Sequence, residues 1–167
     1  VHRFFLKKGF TMIEILVVIA IIGILSTLGI RSFISSQMKG RDAKRKADLA
    51  NIAKPLEAYL NDHDHYPLSD AGLIIACGSE GSDGCVWGDE FVDENNTNYM
   101  VQLPEDPSEG KIYFYNTDAI GEQWALYALL ENELDPKVVV GGFANTNCVE
   151  SGTARLCNYR ITSSNWQ

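Results

Sequence analysis

Four groups of side chains in this sequence could do chemistry. The first is one carboxylate, Glu14, the sole charge in the apolar stretch Phe10–Ile30 (FTMIEILVVIAIIGILSTLGI). A carboxylate at the middle of a membrane-length helix costs roughly 2.5–3.5 kcal/mol on insertion scales, and less toward the end, so a residue kept there is a functional candidate. The second group is four cysteines, Cys77, Cys85, Cys148 and Cys157, which allow three disulfide connectivities. Spacing favours Cys77–Cys85 and Cys148–Cys157, each closing a small loop, and an oxidising location fits them. A zinc site would want tighter C-x2–4-C pairs. The third is His63-Asp64-His65 beside Asp62. Two histidines do not close a metal site, and a polar helix exit accounts for them, so no metal is assigned there. The fourth is an acidic loop with Asp83, Asp89, Glu90, Asp93, Glu94, Asn95 and Asn96. Its oxygens suit calcium, although their spacing matches no EF-hand loop.

Nothing in the chain reads as catalytic. It has no G-x-S-x-G, H-E-x-x-H, phosphate loop or C-x-x-C. The only histidines able to complete a triad are His2, His63 and His65. We therefore expect a protein that is not an enzyme and needs no cofactor, with calcium as the one option.

The elements that must position these residues follow from how charge is distributed. The 167 residues carry 14 Lys+Arg against 22 Asp+Glu, a net charge of −8, which argues against a general nucleic-acid binder. That average hides a division. Residues 1–9 hold Arg3, Lys7 and Lys8 and no acid, and residues 47–167 hold five basic against twenty acidic side chains. Between them, Phe10–Ile30 would form a helix of roughly 31 Å, about one bilayer core. A cleaved secretory signal would need small residues at a cut site after the apolar run, and Ser26–Arg31 (STLGIR) offers none.

The run Lys7-Lys8-Gly9-Phe10-Thr11-Met12-Ile13-Glu14-Ile15-Leu16-Val17-Val18 resembles the N-terminal signature of type IV pilins and type II secretion pseudopilins. The resemblance implies a basic leader, residues 1–9, cut by a prepilin peptidase between Gly9 and Phe10. Phe10 would become the N-methylated N-terminus, and Glu14 the buried acid used in assembly. It further implies a homopolymer built by a membrane platform and its ATPase. Each copy would cross the inner membrane once, with its C-terminal domain outside, before entering a periplasmic or extracellular filament. Weaker likenesses, Tyr59-Leu60-Asn61-Asp62 with Tyr66-Pro67 and Leu103-Pro104-Glu105-Asp106-Pro107 with Tyr113 and Tyr115, tilt toward the major pseudopilin group. Arg31 stands where members usually carry proline. Some major pseudopilins bind calcium. The alternative is a minor pilin or a membrane-anchored surface binding or adhesion module.

After the apolar span, Ile34, Met38, Leu49, Ile52, Leu56, Tyr59 and Leu60 share one helical face at 100° per residue. Arg41 and Arg45 fall on that same face, so the turns before Leu49 are expected not to pack on a core. The spacing predicts one helix from about Thr11 to Asn61 (residues 31–61 being its amphipathic part), kinked near Asn51–Pro55 because proline lacks an N–H. The basic run Lys39–Lys46 reads as a solvated face, a contact for anionic headgroups, or a partner for a neighbouring subunit's acids.

Residues 62–167 form the acidic globular domain. Within it, Ser69–Gly110 reads as a long, mostly irregular connection. Lys111–Asp118 and Gln123–Glu131 read as strands of an antiparallel hairpin around a turn at Asp118–Glu122. Val138–Val140 and Leu156–Thr162 are further short strands. The expected fold is α+β: a long transmembrane-to-amphipathic helix packed on a small antiparallel sheet, the pilin fold.

Overall fold

A computed structural model describes residues 9–166, with the side chains at 27–29 and 31 outside what it describes. The expected leader therefore lies outside the described residues except for Gly9. The chain divides into two compact units, one up to Met38 and one from Lys39 onward.

Helix α1 (Met12–His63) runs through the boundary. It stops where Asp64 adopts a left-handed backbone, φ 63°, while its N–H still bonds the Leu60 carbonyl at 2.9 Å. Aspartate tolerates that conformation better than most residues. Pro55 sits inside α1 without ending it. In the first unit, the apolar side chains from Phe10 to Ile34 whose positions are described are mostly exposed, among them Met12, Leu16, Ile24 and Phe33. Among the described residues no helix is long and apolar enough to cross a membrane. Part of the expected span Phe10–Ile30, the side chains at 27–29, lies outside the described residues; α1 covers the span from Met12 onward.

Among the described residues the second unit has three small antiparallel sheets. Strands β1 (Leu68–Asp70), β2 (Leu73–Cys77) and β3 (Asp83–Cys85) form the first, in that order. Strands β4 (Phe91–Val92) and β5 (Asn98–Met100) form the second. The third has the order β6 (Phe114–Thr117), β7 (Trp124–Ala128), β8 (Tyr159–Thr162). Its hairpin pairs Phe114 with Tyr127 and Thr117 with Trp124, as the alternation in the sequence requires.

Two expectations are corrected. Ser69–Gly110 is not irregular: it holds most of β1 and all of β2 to β5. The β1–β2 turn is Ala71-Gly72, with φ 47° and 88°, the two-residue turn that usually takes Asn-Gly. A Cβ at Gly72 would lie 2.5 Å from the Phe114 ring, so that position must be glycine. Val138–Val140 is not a strand; the Val139 N–H donates to the Asn158 carbonyl at 2.8 Å, and its own carbonyl accepts the Gly142 N–H of a turn at 3.0 Å.

Strand β7 explains the continuously apolar run Gln123–Glu131: it is buried on both faces. Trp124, Leu126 and Ala128 join the main core with Leu49, Ile52, Leu56 and Tyr59 of α1 and with Tyr113, Tyr115 and Phe91. Ala125 and Tyr127, with Leu129 just beyond the strand, face a second cluster with Cys148 and Cys157, flanked by Phe114 and Phe143.

Candidate functional site

The sequence-predicted residues fall into separate places. Gly9 and Phe10 precede α1 and are exposed. Thr11 caps the helix. Its backbone N–H and its hydroxyl each donate to Glu14 Oε2 at 2.7 Å, and Glu14 N–H donates back to Thr11 Oγ1 at 3.3 Å. This reciprocal capping box satisfies donors that the first helical turn leaves free. In the intact chain the Glu14 carboxylate is therefore held by its own first turn. The signal was present in the sequence as Thr11-x-x-Glu14 ahead of an apolar run.

A second constellation was missed. Arg45 is fully buried, and α1 carries it into a cluster of carboxylates. Its Nε and Nη2 donate to the two oxygens of Asp106, both at 2.7 Å. Nη1 donates to Asp42 Oδ1 at 2.7 Å, and Nη2 also reaches Ser108 Oγ and Glu131 Oε1, both at 2.8 Å. Asp42 in turn accepts the backbone N–H groups of Glu131 at 2.9 Å and Asn132 at 2.8 Å. Glu131 also takes Arg41 and Lys111. Three cations thus meet three carboxylates, and the helix is tied to the loop before β6 and to the chain leaving β7.

Burial works against the Arg45 charge, but Asp106, Glu131 and Asp42 outweigh it and hold the guanidinium proton more tightly than usual. The Arg41 hydrogen bond, opposed by burial and helped by Arg45, Lys111 and Ser108, holds the Glu131 carboxyl well below its ordinary value of 4.5.

The expectation that the turns before Leu49 stay off a core holds at Ile34, which is exposed, and fails from Arg41 to Arg45. Arginine on the apolar face marks a buried ion cluster, because its acids arrive from distant loops. Lys46 likewise pairs with Asp135. Of the basic run, Arg41, Arg45 and Lys46 are paired within their own unit, a fourth arrangement beside the three expected, while Lys39 and Lys44 remain exposed as on a solvated face.

Cys77 is bonded to Cys85 and Cys148 to Cys157. The first bridge joins β2 to β3, and the second closes over the outer face of β7. His63 Nε2 lies 3.1 Å from Asp93 Oδ2, with its ring stacked 4.0 Å from that of Tyr59. Asp93 Oδ1 accepts the N–H groups of Asn95 at 2.9 Å and Thr97 at 2.7 Å, and Oδ2 also accepts the Tyr99 hydroxyl at 3.3 Å, so both oxygens are occupied. Among the described residues no three His, Cys, Asp or Glu side chains converge to hold a metal.

Comparison with known proteins supplies the family. A profile described as "Prokaryotic N-terminal methylation motif" matches residues 5–30. The Type II secretion system core protein G of Escherichia coli (strain K12) is 30% identical over 101 residues, covering 60% of this chain and 66% of that protein, just under two thirds. The Aeromonas hydrophila protein of the same name is 28% identical over 60% of this chain and 67% of its own. That of Pseudomonas aeruginosa is 30% identical over 125 residues, 74% of this chain and 82% of its own. No solved structure gives a significant match. A prepilin-type N-terminus, a helix feeding an antiparallel sheet, and likeness over four-fifths of a relative's length lead to one assignment: the chain belongs to the type II secretion system core protein G family, the major pseudopilins.

Proposed function

We propose that this chain is a structural subunit which, after cleavage between Gly9 and Phe10, polymerises into a type II secretion pseudopilus. The single observation that carries the reading is the likeness to core protein G across 82% of the Pseudomonas relative. The exposed apolar side chains of the first unit support it, since such a surface needs lipid before assembly and neighbouring helices afterwards.

Each copy sits in the inner membrane with its acidic unit outside, then leaves it as apolar surface passes from lipid to the filament core. A prepilin peptidase removes the leader and Phe10 is N-methylated. Cleavage frees an α-amine that is cationic at neutral pH. Glu14 lies one helical turn on, and a charge pair at about 4 Å is worth roughly 4 kcal/mol at an effective dielectric of 20. Pairing with the amine of a neighbouring copy would favour one axial register, with Glu14 leaving its bond to Thr11. The chain carries no phosphate loop, so a separate ATPase on an assembly platform does the work.

The test is the intact mass of the membrane-extracted chain co-expressed with a prepilin peptidase. We expect a mass that starts at Phe10 with one added methyl. Glu14→Leu should leave the chain in the membrane and abolish filaments; normal filament yield from that variant would remove Glu14 from assembly. The reading as a surface binding module rested on an irregular Ser69–Gly110 loop, and β2 to β5 together with a disulfide now account for that segment.

A further inference from the structure

Among the described residues the globular unit exposes eight large apolar side chains, and half of them line one cavity: Leu134, Val139, Val140 and Leu156. Leu68, Val86, Val101 and Ile120, the other four, lie elsewhere. The cavity holds about 540 Å³. Leu134 and Val140 are 92% and 94% exposed, so they stand out from the surface beside the hollow instead of filling it. Gly142, at φ 72°, shapes the wall: a Cβ there would lie 2.6 Å from Leu156 Cβ.

Two charges of opposite sign, Glu133 and Arg155, share the lining. Neither side chain has an ion-pair or hydrogen-bond partner among the described residues, and they do not pair with each other. Elsewhere in this unit Arg41, Arg45, Lys46 and Lys111 are each paired with an acid. An apolar ridge, an apolar hollow, one free acid and one free base on a single patch are what a self-complementary surface requires, because across a two-fold axis residue i meets j while j meets i.

We propose that this patch is a homotypic contact, in which the Leu134–Val140 ridge of one copy seats in the cavity of a second, with Glu133 of each facing Arg155 of the other. The charges make the contact selective for another copy, and the apolar side chains supply its area. A two-fold contact closes on itself, so it pairs chains without extending a filament, and it stands apart from the polymer contacts of the pseudopilus reading.

The experiment uses the full chain in micelles of a neutral detergent, with p-benzoylphenylalanine in place of Val140 and an equal mixture of 15N-labelled and unlabelled copies. On irradiation we expect cross-links between labelled and unlabelled chains that map to residues 129–160. Glu133→Arg alone and Arg155→Glu alone should each lower the cross-linked fraction about 5-fold, near 1 kcal/mol of coupling. The two substitutions together should restore it to within about twofold. Both positions are exposed, and an intact mass confirms that the disulfides have formed in each variant. Cross-links only to detergent or to other segments, or a double variant no better than the singles, would overturn the contact. Loss of filaments with these cross-links intact would count against the polymer reading alone.

Discussion

Residues Met12–Met38 and Lys39–His63 belong to one helix, yet the two stretches solve opposite problems. The first leaves Phe33 and the isoleucines and leucines whose side chains are described exposed, and it carries almost no charge. The second hides Leu49, Ile52, Leu56 and Tyr59 and, among them, a guanidinium. Helical hydrogen bonding is the same in both, so it cannot decide what becomes of a side chain. What differs is whether the chain itself supplies a partner. The second stretch is completed within its own unit, by aromatic residues for its apolar face and by Asp106 and Glu131 for Arg45. The first needs lipid or other copies, and that incompleteness is what an assembling subunit requires.

The largest effect should come from breaking the completed stretch at its buried charge. Arg45→Met would leave Asp42, Asp106 and Glu131 short of their main cation, at a cost of about 3–5 kcal/mol. The urea midpoint of the globular unit, followed by circular dichroism, should fall accordingly. Arg45→Met with Asp106→Leu should recover much of the loss, since a buried pair exchanged for apolar groups can be near neutral. A double variant as unstable as the single one would mean that the cluster does more than balance its own charges.

Next in size are the disulfides. Their cysteines are 8 and 9 residues apart, so each loop closure is worth roughly 2.5 kcal/mol on the chain-entropy account. Replacing Cys148 and Cys157 with alanine should cost more than replacing Cys77 and Cys85. Cys148 and Cys157 are both fully buried against the outer face of β7, whereas Cys77 is only partly covered. Equal losses would show that loop closure, not cover of β7, sets the contribution.

Acid offers a gentler way into the same cluster. The Glu131 carboxyl titrates below its ordinary value of 4.5 in the folded chain. Between the two values the unfolded chain binds more protons, so this contribution is complete above the ordinary value and is lost as pH falls through the folded one. Thermal midpoints should be level from pH 7 to about 5.5 and decline below about 4. Glu131→Gln should flatten that decline. An unchanged slope would place the acid sensitivity elsewhere, with Asp135, held low by Lys46, as the next carboxylate to replace.

The sequence made much of this legible where the signal was periodic. The α1 stripe, its end before Tyr66, the β6–β7 hairpin and the β8 region all followed from spacing and turn residues. Three things escaped, for physical reasons. Strands β2 to β5 are two to five residues long and turn on pairs such as Ala71-Gly72, which lack the usual turn signature. Arg45 read as an exposed charge because Asp106 and Glu131 are 61 and 86 residues away along the chain. Val138–Val140 has strand composition but no neighbouring strand to pair with, and its side chains line a cavity instead.

The smallest effect tests the independence of the two stretches. Thr11→Val removes the hydroxyl that accepts the Glu14 N–H and donates to its carboxylate, while the Thr11 backbone N–H can still donate. Loss of a threonine cap typically costs about 1 kcal/mol. That loss should be confined to the first turn, because helix ends open locally without global unfolding. In micelles, amide exchange at Ile13–Ile15 should quicken about 5-fold, and the urea midpoint of the globular unit should not move. A shift in that midpoint would mean that order at the N-terminus is felt beyond Met38. The completed half of the helix would then depend on the unfinished half, and the contrast between them would have to be abandoned.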